Sequence, residues 1–474
     1  MIIRLFESET TTPRPIYRAI TSVQTIGHSM CSCASNSVHV EQRLGEPVTK
    51  VRAAKGVNVI GHMRSSAGLG NTARLFMEIV HNKGYGVAAF DIDKHASQEA
   101  SETLRGPLIN DVRELPYDFN LFIVSIPRLP QLWVRHISHL LSPRFRNAGV
   151  LFWELPVIPR AWIPSLEIFD VMVACSQFVR QTFETSIPDM PTVFAEHPIR
   201  RYSFTETKRA RRERLGIAVN STVFCCTFDP RSGFERKNPL GAIRAWQKAF
   251  PETDSVRLVI KANGDISPEY AQHPDATEVL REAAKDPRIL LISERMSHED
   301  VLGLFECCDV IISLHRAEGL GLIPLEAMSL GKLVVATGYS GNLTFMNEQN
   351  SLLVPYRLIE PKFDAPFLTR KFAGRTAAWG DPDIEAAARL LRWAADNPSV
   401  REKLARQAQS DIERRQETAW EGAYIDQMMA HLESSQRHVS RSRLRRHIFQ
   451  QELLDPTIRR KNVEAALGLR KQGW

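Results

Sequence analysis

The chain lacks a membrane span. No apolar run approaches the roughly 20 residues that one requires, and the opening MIIRLFESETTT breaks into glutamate before a leader core can form, so no secretory leader is expected. A cysteine framework is also missing. The seven cysteines of the 474 residues include two adjacent pairs, Cys225-Cys226 and Cys307-Cys308, with neither disulfide nor zinc spacing. Cys31-x-Cys33 offers two ligands with no second cluster. Each adjacent pair falls in an expected strand or helix, so buried thiols in a reducing compartment, the cytoplasm, are expected. The body of the chain lacks a charge bias too. The formal net charge is +7, but residues 436–474 hold ten Lys/Arg against three Asp/Glu, leaving 51 against 51 elsewhere. That balance disfavours a nucleic-acid-binding body.

At this length and 43% hydrophobic content, two large domains are the default. Residues 1–50 show no sustained period and read as a loosely ordered extension. The basic tail, residues 436–474, has two open readings: a solvated appendage, or a contact with an anionic membrane surface.

What is present centres on residues 309–331, DVIISLHRAEGLGLIPLEAMSLG. Asp309–His315 reads as a buried parallel strand. A loop with Gly319 and Gly321 follows. Pro324 suits a first helical position and Gly331 the residue past a helix end, so Pro324–Leu330 reads as a short helix. Such a loop lets backbone N–H groups and the helix dipole face an anion. Glu318 at the loop entrance and Glu326 in the expected first turn add two carboxylates, which can accept bonds from vicinal hydroxyls as on a ribose. Sugar hydroxyls together with phosphate point to a nucleotide sugar.

Upstream, the strand Val57–Gly61, the loop His62–Gly70 with Gly68-Leu69-Gly70, the helix Asn71–Lys83 and the strand Val87–Phe90 read as a βαβ unit. Strands are expected at Asn120–Ile126, Gly149–Trp153, Val171–Cys175 and Val193–Glu196, with Ser176 as an N-cap. Trp153 and Trp162 read as core. Glu154 suits either an acceptor hydroxyl or an ion pair. KRARRERLG reads as a short linking helix with a charged face.

Beyond the linker, the strand Thr222–Phe228 leads into a loop crowded by Arg231, Arg236 and Lys237 before the helix Leu240–Phe250. Cations at a helix N-terminus oppose its dipole unless an anion offsets them. That places a diphosphate here, with Arg236 as an outward-facing charge. Strands at Val256–Ala262, Ile289–Ser293, Leu333–Thr337 and Ser351–Val354 alternate with helices. Helical segments at Pro382–Ala408 and Trp420–Leu432 end the fold.

Glu318-x7-Glu326, with Gly331-Lys332, the strand behind it and the turn Gly338-Tyr339-Ser340-Gly341-Asn342, resembles the donor site of retaining family 4 glycosyltransferases, the glycosyl transferases group 1. The segments WELP, CSQFVR and HP, and the Arg231-x5-Lys237 spacing, are similar to that family as well. The resemblance implies an α/β, GT-B fold: two facing Rossmann-like domains with parallel sheets, and C-terminal helices crossing back to the first. Residues 51–205 would form the acceptor-side domain, 206–385 the donor-side domain and 386–435 the crossover. It implies transfer of a sugar from a nucleotide-diphosphate sugar to a hydroxyl of a glycan or lipid-linked glycan, with retention of configuration. Glu318, Lys237 and Arg231 would act in catalysis; Glu326, Gly319, Leu320, Gly321, Gly341 and Asn342 would bind the donor; Gly68, Leu69 and Gly70 would line the cleft from the first domain. No cofactor beyond the donor is implied, and no metal, since the fixed cations take its place. One departure stands out. Relatives carry a histidine just past the strand Asn120–Ile126, whereas here the next is His136, with His62 as a spare. A degenerate scaffold or another GT-B sugar-nucleotide enzyme, such as an epimerase, is the alternative.

Overall fold

The computed structural model describes residues 55–436 apart from 66, 93–103, 130–131, 133–138, 141, 143, 161, 253–254, 268–272 and 363–376. The N-terminal extension, the basic tail, Cys31, Cys33 and His136 lie outside the described residues.

The first half runs β1 (Gly56–Gly61), α1 (Gly68–Asn82), β2 (Gly86–Asp91), β3 (Leu108–Ile109), β4 (Phe119–Ser125), β5 (Arg146–Phe152), the single turn α2 (Ile163–Leu166), β6 (Val171–Ala174), α3 (Gln177–Ser186) and β7 (Thr192–Phe194). The seven strands form one sheet in the order β3-β2-β1-β4-β5-β6-β7, and every neighbouring pair is parallel. Val57, Val59, Ile60, Leu121, Phe122, Ile123 and Val124 are fully buried. These runs do not alternate with polar residues, because helices cover both faces of the sheet. Ser176 caps α3 as expected, its hydroxyl accepting from the Val179 amide at 3.1 Å. Trp153 and Trp162 are core residues, packed edge to face.

Linker helix α4 (Lys208–Arg214) is not simply a charged surface. Arg212 is buried, donating to the carbonyls of Cys307, Val219 and Ser221 and pairing with Asp309 at 2.8 Å. The linker is thereby keyed into the second half.

That half runs β8 (Thr222–Phe228), the single turn α5 (Phe234–Lys237), α6 (Pro239–Ala249), β9 (Val256–Ala262), α7 (Pro274–Lys285), β10 (Ile289–Ile292), α8 (His298–Cys307), β11 (Val310–Ser313), α9 (Leu322–Ser329), β12 (Leu333–Thr337) and β13 (Leu352–Val354). Its sheet is also parallel, in the order β10-β9-β8-β11-β12-β13. An antiparallel ribbon, β14 (Tyr356–Ile359) with β15 (Trp379–Pro382), projects beyond it. Cys175, Cys225, Cys226, Cys307 and Cys308 are buried free thiols. In both sheets the strand order reverses at the middle, between β1 and β4 and between β8 and β11. Open parallel sheets build their ligand crevices at the carboxyl ends of strands at such points.

The chain closes with α10 (Ile384–Asp396), α11 (Pro398–Glu421) and α12 (Ala423–Ser434). Helix α12 packs back on β5, β6 and β7 of the first sheet, tied by Lys83–Asp426 at 2.6 Å. The end of α11 is laced to the outgoing linker. Gln416 accepts from the Ile199 amide at 2.7 Å and donates to the His197 carbonyl, Trp420 donates to the Ile199 carbonyl, and Arg415 pairs with Glu196. The two passages between the domains therefore run side by side. A cavity of about 490 Å³ opens behind them, lined by Tyr202, Phe204, Glu306, Leu330 and Ile412 among others.

Candidate active site

The loops after β8 and β11, the two strands at the second reversal, bring Lys237 and Glu318 together. Lys237 Nζ lies 2.5 Å from Glu318 Oε1. The other carboxylate oxygen meets Arg236 at 3.2 Å, and the same guanidinium donates to the Ala317 carbonyl at 2.8 Å. Arg236 is thus not an outward charge. The single turn α5 follows Gly233 at φ +95° and ends at Asn238 at φ +51°, and this compact corner turns two consecutive cations inward. Asn238 fixes the corner, accepting from Gly241 N–H at 3.2 Å and donating to the Leu314 carbonyl at 2.9 Å. Burial by itself would raise the Glu318 carboxyl, but Lys237 and Arg236 outweigh it and hold it at about 2. Arg231 falls in the turn Pro230–Ser232; its side chain lies outside the described part.

Helix α9 begins at Leu322, two residues before the expected Pro324, with Gly321 as its N-cap and no side chain capping it. Glu326 therefore sits beyond the first turn. It is 8% exposed, its Oε1 lies 3.3 Å from His298 Nε2, and burial pushes its carboxyl up to about 8. His298, the first residue of α8, had no role in the sequence reading.

The glycine loop packs closely on itself and on the first domain. A side chain on Gly341 would lie 2.3 Å from the Gly319 carbonyl, and one on Gly319 would lie 3.0 Å from the Trp153 carbonyl. The Gly341 amide is already spent on the Glu318 carbonyl at 2.9 Å. Asn342 is buried and occupied as well, its oxygen 3.1 Å from His315 Nε2 and its amide donating to the Thr337 carbonyl. Both residues, expected to bind the donor, make these contacts within the loop. Gly319, Leu320 and Gly321 remain as the loop's forward backbone. His315 lies beneath them, buried and with its pKa lowered by that burial.

From the first domain, Ser176 Oγ donates to the Gly319 carbonyl at 2.5 Å, Gln177 N–H donates to Thr344 Oγ1 at 3.0 Å, and Glu154 reaches Arg236 at 3.9 Å. Glu154 is an interdomain ion-pair partner. Gly68, Leu69 and Gly70 are not a loop: they form the first turn of α1, where an added Cβ on Gly68 would lie 3.1 Å from Leu322. His62 is buried after β1. His197 is buried against Thr72 at 2.9 Å, and its pKa is pushed down to about 4 by that burial.

Two aspartate pairs of D-x-D spacing occur in the chain, Asp91/Asp93 and Asp381/Asp383. Asp91 pairs with Arg64 and Asp381 with Arg316, Asp383 caps α10, and Asp93 is outside the described residues. Among the described residues, no group of three or more His, Cys, Asp or Glu side chains is placed to hold a metal ion. No described helix is long and apolar enough to cross a membrane.

The architecture is similar to solved structures over most of its length. HepE from Anabaena, in complex with UDP and glucose, is 14% identical with a TM-score of 0.56, covering 80% of this chain and 100% of its own. Sucrose-phosphate synthase from Thermosynechococcus elongatus is 12% identical with a TM-score of 0.54, covering 80% and 98%. OtsA in its apo form is 12% identical with a TM-score of 0.55, covering 79% and 99%. No curated protein matches the sequence. The fold class is GT-B. Residues 222–363, which carry the Lys237 and Glu318 loops, match the family model of glycosyl transferases group 1. This second domain is therefore similar to the glycosyl transferases group 1.

Proposed function

We propose that the chain moves a sugar from a nucleotide-diphosphate sugar to a hydroxyl of a glycan or lipid-linked glycan, with retention of configuration and without a metal. The observation that carries this reading is the convergence of Lys237 and Arg236 on Glu318, at the entrance of the loop that leads into the uncapped N-terminus of α9. In the reaction, the bond from the anomeric carbon to the diphosphate oxygen breaks as the acceptor oxygen bonds to that carbon, and the acceptor's hydroxyl proton passes to the departing diphosphate. The charge left on the departing diphosphate is the main obstacle, and fixed cations with oriented amides stabilise such charge as it develops. In this scheme Lys237 and Arg231 hold the diphosphate with the amides of Gly319, Leu320 and Gly321. Glu318 holds the donor sugar hydroxyls and Glu326 the ribose. Uridine nucleotides are the first donors to try, since HepE is a relative of this fold seen with UDP.

The test is a thermal-shift screen with nucleotide sugars and free nucleotides, followed by a transfer assay that reads the anomeric configuration of the product by NMR. No stabilisation by any nucleotide would overturn the reading. The basic tail extends the proposal to a lipid-linked acceptor at an anionic, inner-membrane surface. Anionic liposomes should co-sediment with the full chain, less so as salt rises, and not with a chain ending at Ser435; equal, salt-insensitive binding of both would remove that part.

A further inference from the structure

Glu326 begins a path that crosses the cleft. Its Oε1 lies 3.3 Å from His298 Nε2, and the same nitrogen lies 3.4 Å from Nδ2 of Asn71. The three side chains come from α9, α8 and α1, so the path runs from the donor domain to the first domain. Asn71 is 6% exposed, and its Oδ1 is buried without a hydrogen-bond partner. His298 is held at the start of α8, whose N-cap Ser297 accepts from the Asp300 amide at 3.1 Å. Tyr202 of the interdomain linker packs edge-on against the imidazole at 5.8 Å.

The chemistry of the shared nitrogen makes the two contacts interdependent. A protonated Nε2 has one hydrogen, which it can donate to the Glu326 carboxylate or to an oxygen of Asn71, not fully to both. A bare Nε2 accepts either from the Asn71 amide or from a protonated Glu326 carboxyl, and leaves an ionised Glu326 without its donor. Whatever Glu326 bonds therefore changes what His298 offers Asn71. A buried amide oxygen left unpaired costs free energy, so Asn71 gains from any arrangement that gives it a donor.

We propose that His298 is a positioning residue that aims the Glu326 carboxylate at the nucleotide ribose and, through Asn71, couples nucleotide binding to docking of the first domain. This rests on the donor-site reading above. A nucleotide that takes up Glu326 fixes the state of His298, and His298 in turn fixes the contact across the cleft. The partner chemistry is a nucleoside diphosphate with free ribose hydroxyls.

The test is a double-mutant cycle on nucleotide affinity, with Asn71→Ala, His298→Ala and the pair, plus His298→Gln as the conservative variant. The probe is whichever of UDP, GDP, ADP and CDP the parent chain binds most tightly by calorimetry. His298→Ala should weaken binding about tenfold, and His298→Gln, which keeps a donor near Glu326, should restore most of it. Asn71→Ala should weaken binding less, and its effect should vanish in the His298→Ala background, because contacting residues in one network are not additive. A parent that binds none of the four would overturn the donor-site reading, and this proposal with it. A parent that binds, beside a folded His298→Ala that binds equally well or a Gln variant no better than Ala, would overturn the positioning role alone. Additive effects of the two alanine variants would overturn the coupling.

Discussion

Glu318 and Glu326 are eight residues apart and almost equally buried, at 9% and 8% exposure, yet the fold holds them in opposite states. Glu318 lies between Lys237 and Arg236 and stays ionised down to about pH 2. Glu326 faces His298 instead, and burial lifts its carboxyl to about 8. Burial alone does not decide charge; the partners that topology delivers do. The loops after β8 and β11 emerge side by side at the strand reversal and bring cations to Glu318. Glu326 points from inside a helix toward another helix, where His298 is its neighbour. One glutamate is prepared as a fixed anion and the other as a carboxyl that a ligand can re-ionise.

The largest effects should separate the two at the level of turnover. Lys237→Ala should lower the turnover rate about 100-fold or more, with a smaller loss of donor affinity, if Lys237 stabilises charge that develops on the leaving group. Glu318→Gln should likewise collapse turnover while leaving free nucleoside diphosphate binding nearly intact. A folded Lys237→Ala with parental turnover would break the comparison at once. An intermediate effect is expected at the other carboxyl. Glu326→Gln should weaken binding of both nucleoside diphosphate and whole donor by roughly 1–3 kcal/mol, the value of a hydrogen bond to a charged group. Calorimetry with the nucleotide alone reads this, and parental affinity would leave Glu326 a structural residue.

The smallest effect is on stability against pH, and the two glutamates have opposite signs. The folded value of Glu326 lies above its ordinary 4.5, so between these values the folded chain holds a proton that the unfolded chain has released. Stability from this group is full below about pH 4.5 and is lost as pH rises toward about 8. The folded value of Glu318 lies below 4.5. Its contribution is present above about pH 4.5 and is lost as pH falls toward about 2. Denaturant melts at about pH 5 and about pH 8 should show a decline that Glu326→Gln flattens and Glu318→Gln does not. The same slope in both variants would place the titration elsewhere.

Much of this was legible in the sequence. β8, β9 and β12 begin and end where their apolar runs do, and the approach of Lys237 to Glu318 follows from the strand–loop–helix pattern on both sides. Elements of one turn were not legible. Arg236 sits in a four-residue helix between Gly233 and a left-handed Asn238, too short for any periodicity to show which way a side chain turns. Gly68–Gly70 read as a loop because glycine usually breaks helices, but there the helix starts with close packing against Leu322. His298 carried a local signal, the Ser297 N-cap followed by Asp300, which marks a helix start and nothing more. Its approach to Glu326 and Asn71 joins residues 28 and 227 positions away in the chain, and only the assembled fold brings these together. The basic linker misled for a similar reason: composition distinguishes a charged helix from an apolar one, but not Arg209 at the surface from Arg212 in the interior.

The lacing of α11 to the outgoing linker has a mechanical consequence. Two bodies joined at separate points resist every relative motion, whereas two joined along one narrow line keep a single rotation. Gln416, Trp420 and Arg415 gather both passages onto that line, and the cavity behind it gives the rotation room at the far ends of α8 and α9. Opening of the cleft then reduces to one angle. Ser176 on Gly319, Gln177 on Thr344 and Asn71 on His298 all lie across that angle. Separating the two halves about that line would break all three contacts together.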